Sequence, residues 1–134
     1  MRRLIANIIL LLVMNSCGRS PKEGFRAFFG FSPTSDVKNI RAHSGDALGF
    51  DASYWLAFEC SDSTADKIIE KLELSEADYP RRGLYGELNN DPTTWWDTTF
   101  IFHAKPFIKK MDDDYWFLWH DKKANKVYFL WCDT

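Results

Sequence analysis

The residues able to carry chemistry are spread along the chain rather than gathered into a motif. His43, His103 and His120 are the only histidines, and their spacing matches no zinc pattern, such as two histidines one helical turn apart. No metal site is expected from them. Asp112-Asp113-Asp114 offers oxygen ligands, but a calcium loop alternates its ligands with other residues and turns sharply at a glycine, so this run reads as a solvated loop before a strand. No serine sits in a G-x-S-x-G elbow, and no glycine-rich phosphate loop occurs. Glu59 with Glu87 or Asp97 would supply the two carboxylates of glycoside hydrolysis, a chemistry decided by their separation in space. No catalytic residue and no cofactor is assigned.

The richest surface candidate is YPRRGLYGELNNDPTTWWD, residues 79–97. It joins Arg81, Arg82, Tyr85, Trp95 and Trp96 to the turn formers Gly83, Gly86, Asn89, Asn90 and Pro92. Arg, Tyr and Trp dominate interface hot spots, and loops on a rigid scaffold carry recognition. Adjacent residues of an extended chain point oppositely. One of Trp95 and Trp96 is therefore expected to fold inward, leaving the other for a ligand or partner.

Three cysteines complete the reactive inventory. Cys17 follows a basic start, Met1-Arg2-Arg3, and a run from Leu4 to Met14 that is apolar apart from Asn7, the arrangement of a signal peptide. The run is shorter than the roughly 20 apolar residues that span a bilayer. Met14-Asn15-Ser16-Cys17 resembles the bacterial lipobox, and the chain is on that basis identified as a lipoprotein. The resemblance implies cleavage after residue 16 and acylation of Cys17, an anchor stable in lipid because each buried methylene contributes about 0.8 kcal/mol. Gly18, with no aspartate beside the cysteine, implies the outer membrane, facing the periplasm. In that oxidising compartment Cys60 and Cys132 are either a disulfide or two buried thiols. Both end apolar runs, so a bridge requires the two strand ends to be neighbours.

Removing residues 1–16 takes away Arg2 and Arg3 and shifts the formal charge from −2 to −4. Basic residues then pair only at Arg81-Arg82, Lys109-Lys110 and Lys122-Lys123, so nucleic acid is not an expected partner. All six tryptophans lie beyond residue 16, and the aromatic content of 16% lets a small core fill with few side chains. The expected organisation is a signal peptide over 1–16, a lipidated N-terminus and polar tether over 17–24, and one globular domain over 25–134.

The elements that must position these residues follow from periodicity. FRAFFGF, residues 25–31, fits a helical turn or a twisted strand start. VKNIRAH fits a strand with Val37, Asn39 and Arg41 on one face. Tyr54 to Cys60 alternates Tyr54, Leu56, Phe58 and Cys60 against Trp55, Ala57 and Glu59. Ser61 or Ser63 caps a helix over 62–73, whose stripe is Ala65, Ile68, Ile69 and Leu72. One further strand is expected near 98–103. Tyr115 to His120 and Lys126 to Cys132 form a hairpin that is apolar on both faces. The helix can cover one face, so the segment from Asp78 to Met111, or a partner, must cover the other.

This order predicts an α+β fold: a small, mostly antiparallel sheet with one main helix packed on one face and a C-terminal β-hairpin. The layout resembles small bacterial lipoproteins and carries no catalytic motif. The function expected is a non-enzymatic, envelope-anchored binding or interaction module for a protein or envelope component. A periplasmic inhibitor or immunity-type protein is the alternative, and a hydrolase the third reading.

Overall fold

The computed structural model describes residues 20–45, 52–78 and 94–133. Its strands are β1 (Lys38–Gly45), β2 (Ala52–Glu59), β3 (Ser75–Glu76), β4 (Phe107–Met111), β5 (Asp114–Asp121) and β6 (Lys126–Asp133). They form one sheet in the order β1-β2-β6-β5-β4-β3, every neighbouring pair antiparallel. The helices are α1 (Pro21–Phe29), α2 (Asp62–Lys71) and α3 (Thr98–His103). The α+β class and the β5–β6 hairpin stand as expected. Among the described residues no helix is long and apolar enough to cross a membrane.

Period-two alternation divides the sheet's side chains between two cores. Tyr54, Leu56 and Phe58 of β2 join Leu118, Val127, Phe129 and Trp131 on the first face, under α1 and α2. Trp55, Ala57, Phe117, Trp119, Tyr128 and Leu130 line the second face, under Trp96 and Ile101. Part of the segment between residues 78 and 111 thus provides the second cover, as both-sided hydrophobicity requires. Each large side chain buried this way contributes about 1.5–3 kcal/mol.

The tether expected over 17–24 does not extend past Ser20, because α1 starts at Pro21. Ser20 caps it: Ser20 Oγ accepts from Glu23 N at 3.4 Å, and Ser20 N donates to Glu23 Oε2 at 3.1 Å. This reciprocal capping box satisfies first-turn donors, and Pro21 has no N–H to leave unpaired. Gly30 ends the helix at φ 73, a left-handed conformation that costs glycine nothing. The apolar run at 25–31 is therefore mostly helical, and the first face carries two helices rather than one. Phe25, Phe28 and Phe29 are buried, with Phe25 edge-on to Phe29 at 4.7 Å and to Phe58 at 5.0 Å.

Two further expectations are corrected. The strand near 98–103 is α3, nucleated where Asp97 Oδ1 accepts from Phe100 N at 3.0 Å; a cap and burial of Ile101 outweigh the β-propensity of Thr, Phe and Ile. In β1 the face assignment breaks at a bulge between Lys38 and Arg41, where Asn39 has φ 52. The extra residue shifts the parity, so Val37 packs on the first core with Ile40 and Ala42 rather than with Arg41.

The disulfide does not form. Cys60 and Cys132 are both buried thiols, not joined to each other. Ser53 is the rung partner of Cys132, whereas Cys60 follows Glu59 at the other end of β2, about 23 Å along the strand. They also belong to opposite cores, Cys60 to the first and Cys132 to the second. A bridge needs Cα atoms within about 7 Å.

Candidate functional site

Two places draw functional side chains together. The first is a cleft of about 770 Å³ at the head of α2, lined by Asp36, Lys38, Glu59, Cys60, Asp62 and Asn125 among others. Ser61 is the α2 N-cap, its hydroxyl accepting from Thr64 N at 3.3 Å. Asp36, in the turn before β1, binds this cap: its Oδ2 accepts from Ser61 N at 3.0 Å, Ser61 Oγ at 2.8 Å and Thr64 Oγ1 at 2.7 Å. Thr34 Oγ1 donates to its other oxygen. The Thr34 bond, followed by those from Thr64 and Ser61, holds the Asp36 carboxyl well below the usual carboxylate range.

Other groups of the cleft are engaged too. Glu59 accepts from Asn39 Nδ2, and Cys60 N donates to Asn125 O at 2.9 Å. Burial, then the charge of Asp36, pushes the Cys60 thiol up to about 12, the reverse of what a nucleophilic thiolate needs. His120 Nε2 lies 3.2 Å from Asp62 Oδ1, within ion-pair range, but the two are not aligned as a hydrogen bond. Ser61 faces a carboxylate that is a poor base at its depressed pKa, so the contact serves as a strut and not as an activated nucleophile. The cleft is a polar joint between the turn at 34–36, β2 and α2.

The second place is the aromatic cover of the second face. Trp96 is 5% exposed and meets Trp55 edge-on at 4.9 Å, Tyr128 at 5.2 Å and Trp119 at 6.1 Å. Its neighbour Trp95 is half-buried, 6.0 Å from the Trp96 ring. The Trp95 carbonyl accepts from Lys126 Nζ at 3.4 Å, and that ammonium stands 5.1 Å from the centre of the Tyr128 ring. Burial, with lesser contributions from Asp97 and Asp121, pushes the Tyr128 phenol up to about 12, so the ring stays neutral beneath the lysine. One tryptophan in and one half out is the division expected of adjacent residues.

The other candidates are dispersed. Arg81, Arg82, Tyr85, Glu87 and Cys17 lie outside the described residues. His43 is in β1, His103 ends α3 with Nδ1 2.8 Å from Thr99 O, and His120 is the penultimate residue of β5. Among the described residues no three His, Cys, Asp or Glu side chains are grouped to hold a metal. Asp97 caps α3 while Glu59 sits in the cleft, so these carboxylates serve different elements. Sequence reasoning did not find Asp36; the available signal was Ser61-x-x-Thr64, a hydroxyl pair at a helix head that invites an acceptor. No protein-family model, curated protein or solved structure matches the chain.

Proposed function

We propose that this chain is an envelope lipoprotein, anchored through acyl chains on Cys17, whose domain is a non-enzymatic binding module for a protein or envelope component. The contact surface is centred on Trp95. One observation carries this reading: Trp96 is locked into a cage of Trp55, Trp119 and Tyr128, which fixes the half-exposed Trp95 beside the cation of Lys126. A large aromatic held in place before binding loses little entropy on binding, and aromatic and cationic side chains together form the usual centre of a hot spot.

Affinity capture with the acylated full chain from its own envelope tests the proposal. Trp95→Ala is expected to cost about 1 kcal/mol or less in stability while reducing capture of the partner at least tenfold. Trp96→Ala is expected to cost about 3–5 kcal/mol and to lose binding through lost structure. Undiminished capture by a folded Trp95→Ala protein would overturn the assignment of this surface.

A further inference from the structure

The two edges of the sheet differ. β3 closes one side with two residues, too short to seat another strand. β1 closes the other with eight, and among the described residues no strand pairs with its outer side. The direction of its backbone groups follows from its neighbours. Cys60 N donates to Asn125 O at 2.9 Å, so the even-numbered residues of β2 bond toward β6 and the odd-numbered ones toward β1. Their rung partners Arg41, His43 and Gly45 therefore bond inward. The Ser53 hydroxyl agrees, donating to the inward-turned Gly45 carbonyl at 2.7 Å. Ala42 and Ser44 alternate with these residues and turn both N–H and C=O outward. The bulge between Lys38 and Arg41 confines the regular ladder to Arg41–Gly45.

Side chains decide which strand would fit. β1 carries Lys38, Arg41 and His43 and no acidic residue, and both Lys38 and Arg41 are exposed. Arg41 and His43 stand on the second face, across from Ala57 and Trp55, while the half-buried Ala42 packs on the first core. A second copy of β1 laid antiparallel about Ala42 would gather the basic residues of both copies along one edge, and like charges facing across strands destabilise their pairing. A strand bearing acid opposite Arg41 gains from the same arrangement.

We propose that the outer edge of β1 is a docking surface that takes an extended segment of a protein partner as an added antiparallel strand, with a carboxylate opposite Arg41 and an apolar side chain opposite Ala42. Backbone bonds at Ala42 and Ser44 supply affinity, and Arg41 selects for acid. This surface needs neither the acylation of Cys17 nor the Trp95 contact.

Amide hydrogen exchange, read by NMR on the full chain in detergent micelles, tests the proposal. In the protein alone, the Ala42 and Ser44 amides should exchange at least about tenfold faster than those of Arg41 and His43. A peptide of about six residues alternating Val with Glu, at millimolar concentration, should slow Ala42 and Ser44 severalfold. The same peptide with Lys in place of Glu should not, and Arg41→Glu should reverse that preference. Ala42→Pro removes an outward N–H, a change tolerated at a sheet edge, and should abolish the response while the fold persists. Equal protection of Ala42 and Arg41 in the dilute protein alone would show the edge already covered and overturn the proposal. So would an unchanged exchange rate with the Val–Glu peptide, or the same response to both peptides.

Discussion

Asp36 gathers four hydrogen bonds onto one carboxylate in the cleft, and all of them favour its ionised form. A carboxyl whose folded-state pKa lies below its unfolded value stabilises fully above the ordinary aspartate range near 3.9, and that stabilisation is lost as pH falls toward the folded value. Asp36→Ala should therefore lower stability at pH 7 by about 1–2 kcal/mol, the charged hydrogen bonds being discounted for partial exposure. The deficit should narrow near about pH 2–3, as read from urea midpoints followed by tryptophan fluorescence. Gly24 poses a steric case. A Cβ there would fall 1.9 Å from Tyr54 Oη and 2.7 Å from Cζ, and Tyr54 is itself buried. Gly24→Ala should cost roughly 1–3 kcal/mol. Combined with Tyr54→Phe, which deletes the nearest atom, its cost should fall below the sum of the two single changes in a double-mutant cycle.

At the scale of elements, the β4–β5–β6 meander carries an electrostatic cost at one end. Asp114 of β5 stands directly across from Asp133 of β6. Burial first, then the charge of Asp133, raises the Asp114 pKa, while the Trp131 indole opposes the shift. A raised carboxyl gives the opposite sign to Asp36: this pair penalises the fold at high pH, and the penalty is relieved as pH falls through the folded-state value. Asp114→Asn is expected to raise the urea midpoint at pH 7, an advantage that shrinks on acidification because protonated Asp114 already resembles the amide. Legibility in the sequence followed the strength of local patterns. β2, α2 and the β5–β6 hairpin were readable because Tyr54 to Cys60, Ala65 to Leu72 and Tyr115 to Cys132 each keep one period. The start of α1 was also written in Ser20-Pro21-Lys22-Glu23, a capping box with proline in the first turn, but the polarity of those residues concealed it. β4 was not legible: Lys109 and Lys110 make Phe107–Met111 look like a loop, and Lys109 is drawn into place by remote partners, the Leu72 carbonyl and Glu73, both at 3.2 Å.

For the molecule as a whole, the pairing of β2 with β6 determines where its two thiols fall. They occupy opposite ends and opposite cores, and the sheet holds without a covalent link between them. Dithiothreitol should leave the thermal midpoint unchanged, and a thiol reagent should find both cysteines only after unfolding. The candidate surfaces were only half legible for a related reason. Trp95 and Trp96 could be nominated from composition, and their opposite orientations from chain geometry. The joint around Asp36 depends on bringing residues 34–36 to the head of a helix 25 residues later, a juxtaposition that no local pattern records.

The central place of β6 also bears on how the chain is made. β6 is synthesised after the other five strands, yet it fills the gap between β2 and β5, so that Trp131 is laid beside Tyr54. A nascent chain leaving the ribosome holds β2 with its inner edge unpaired until β6 emerges. Closing so distant a contact is slow, and a chain stopped short of β6 presents an aggregation-prone edge that chaperones must shield.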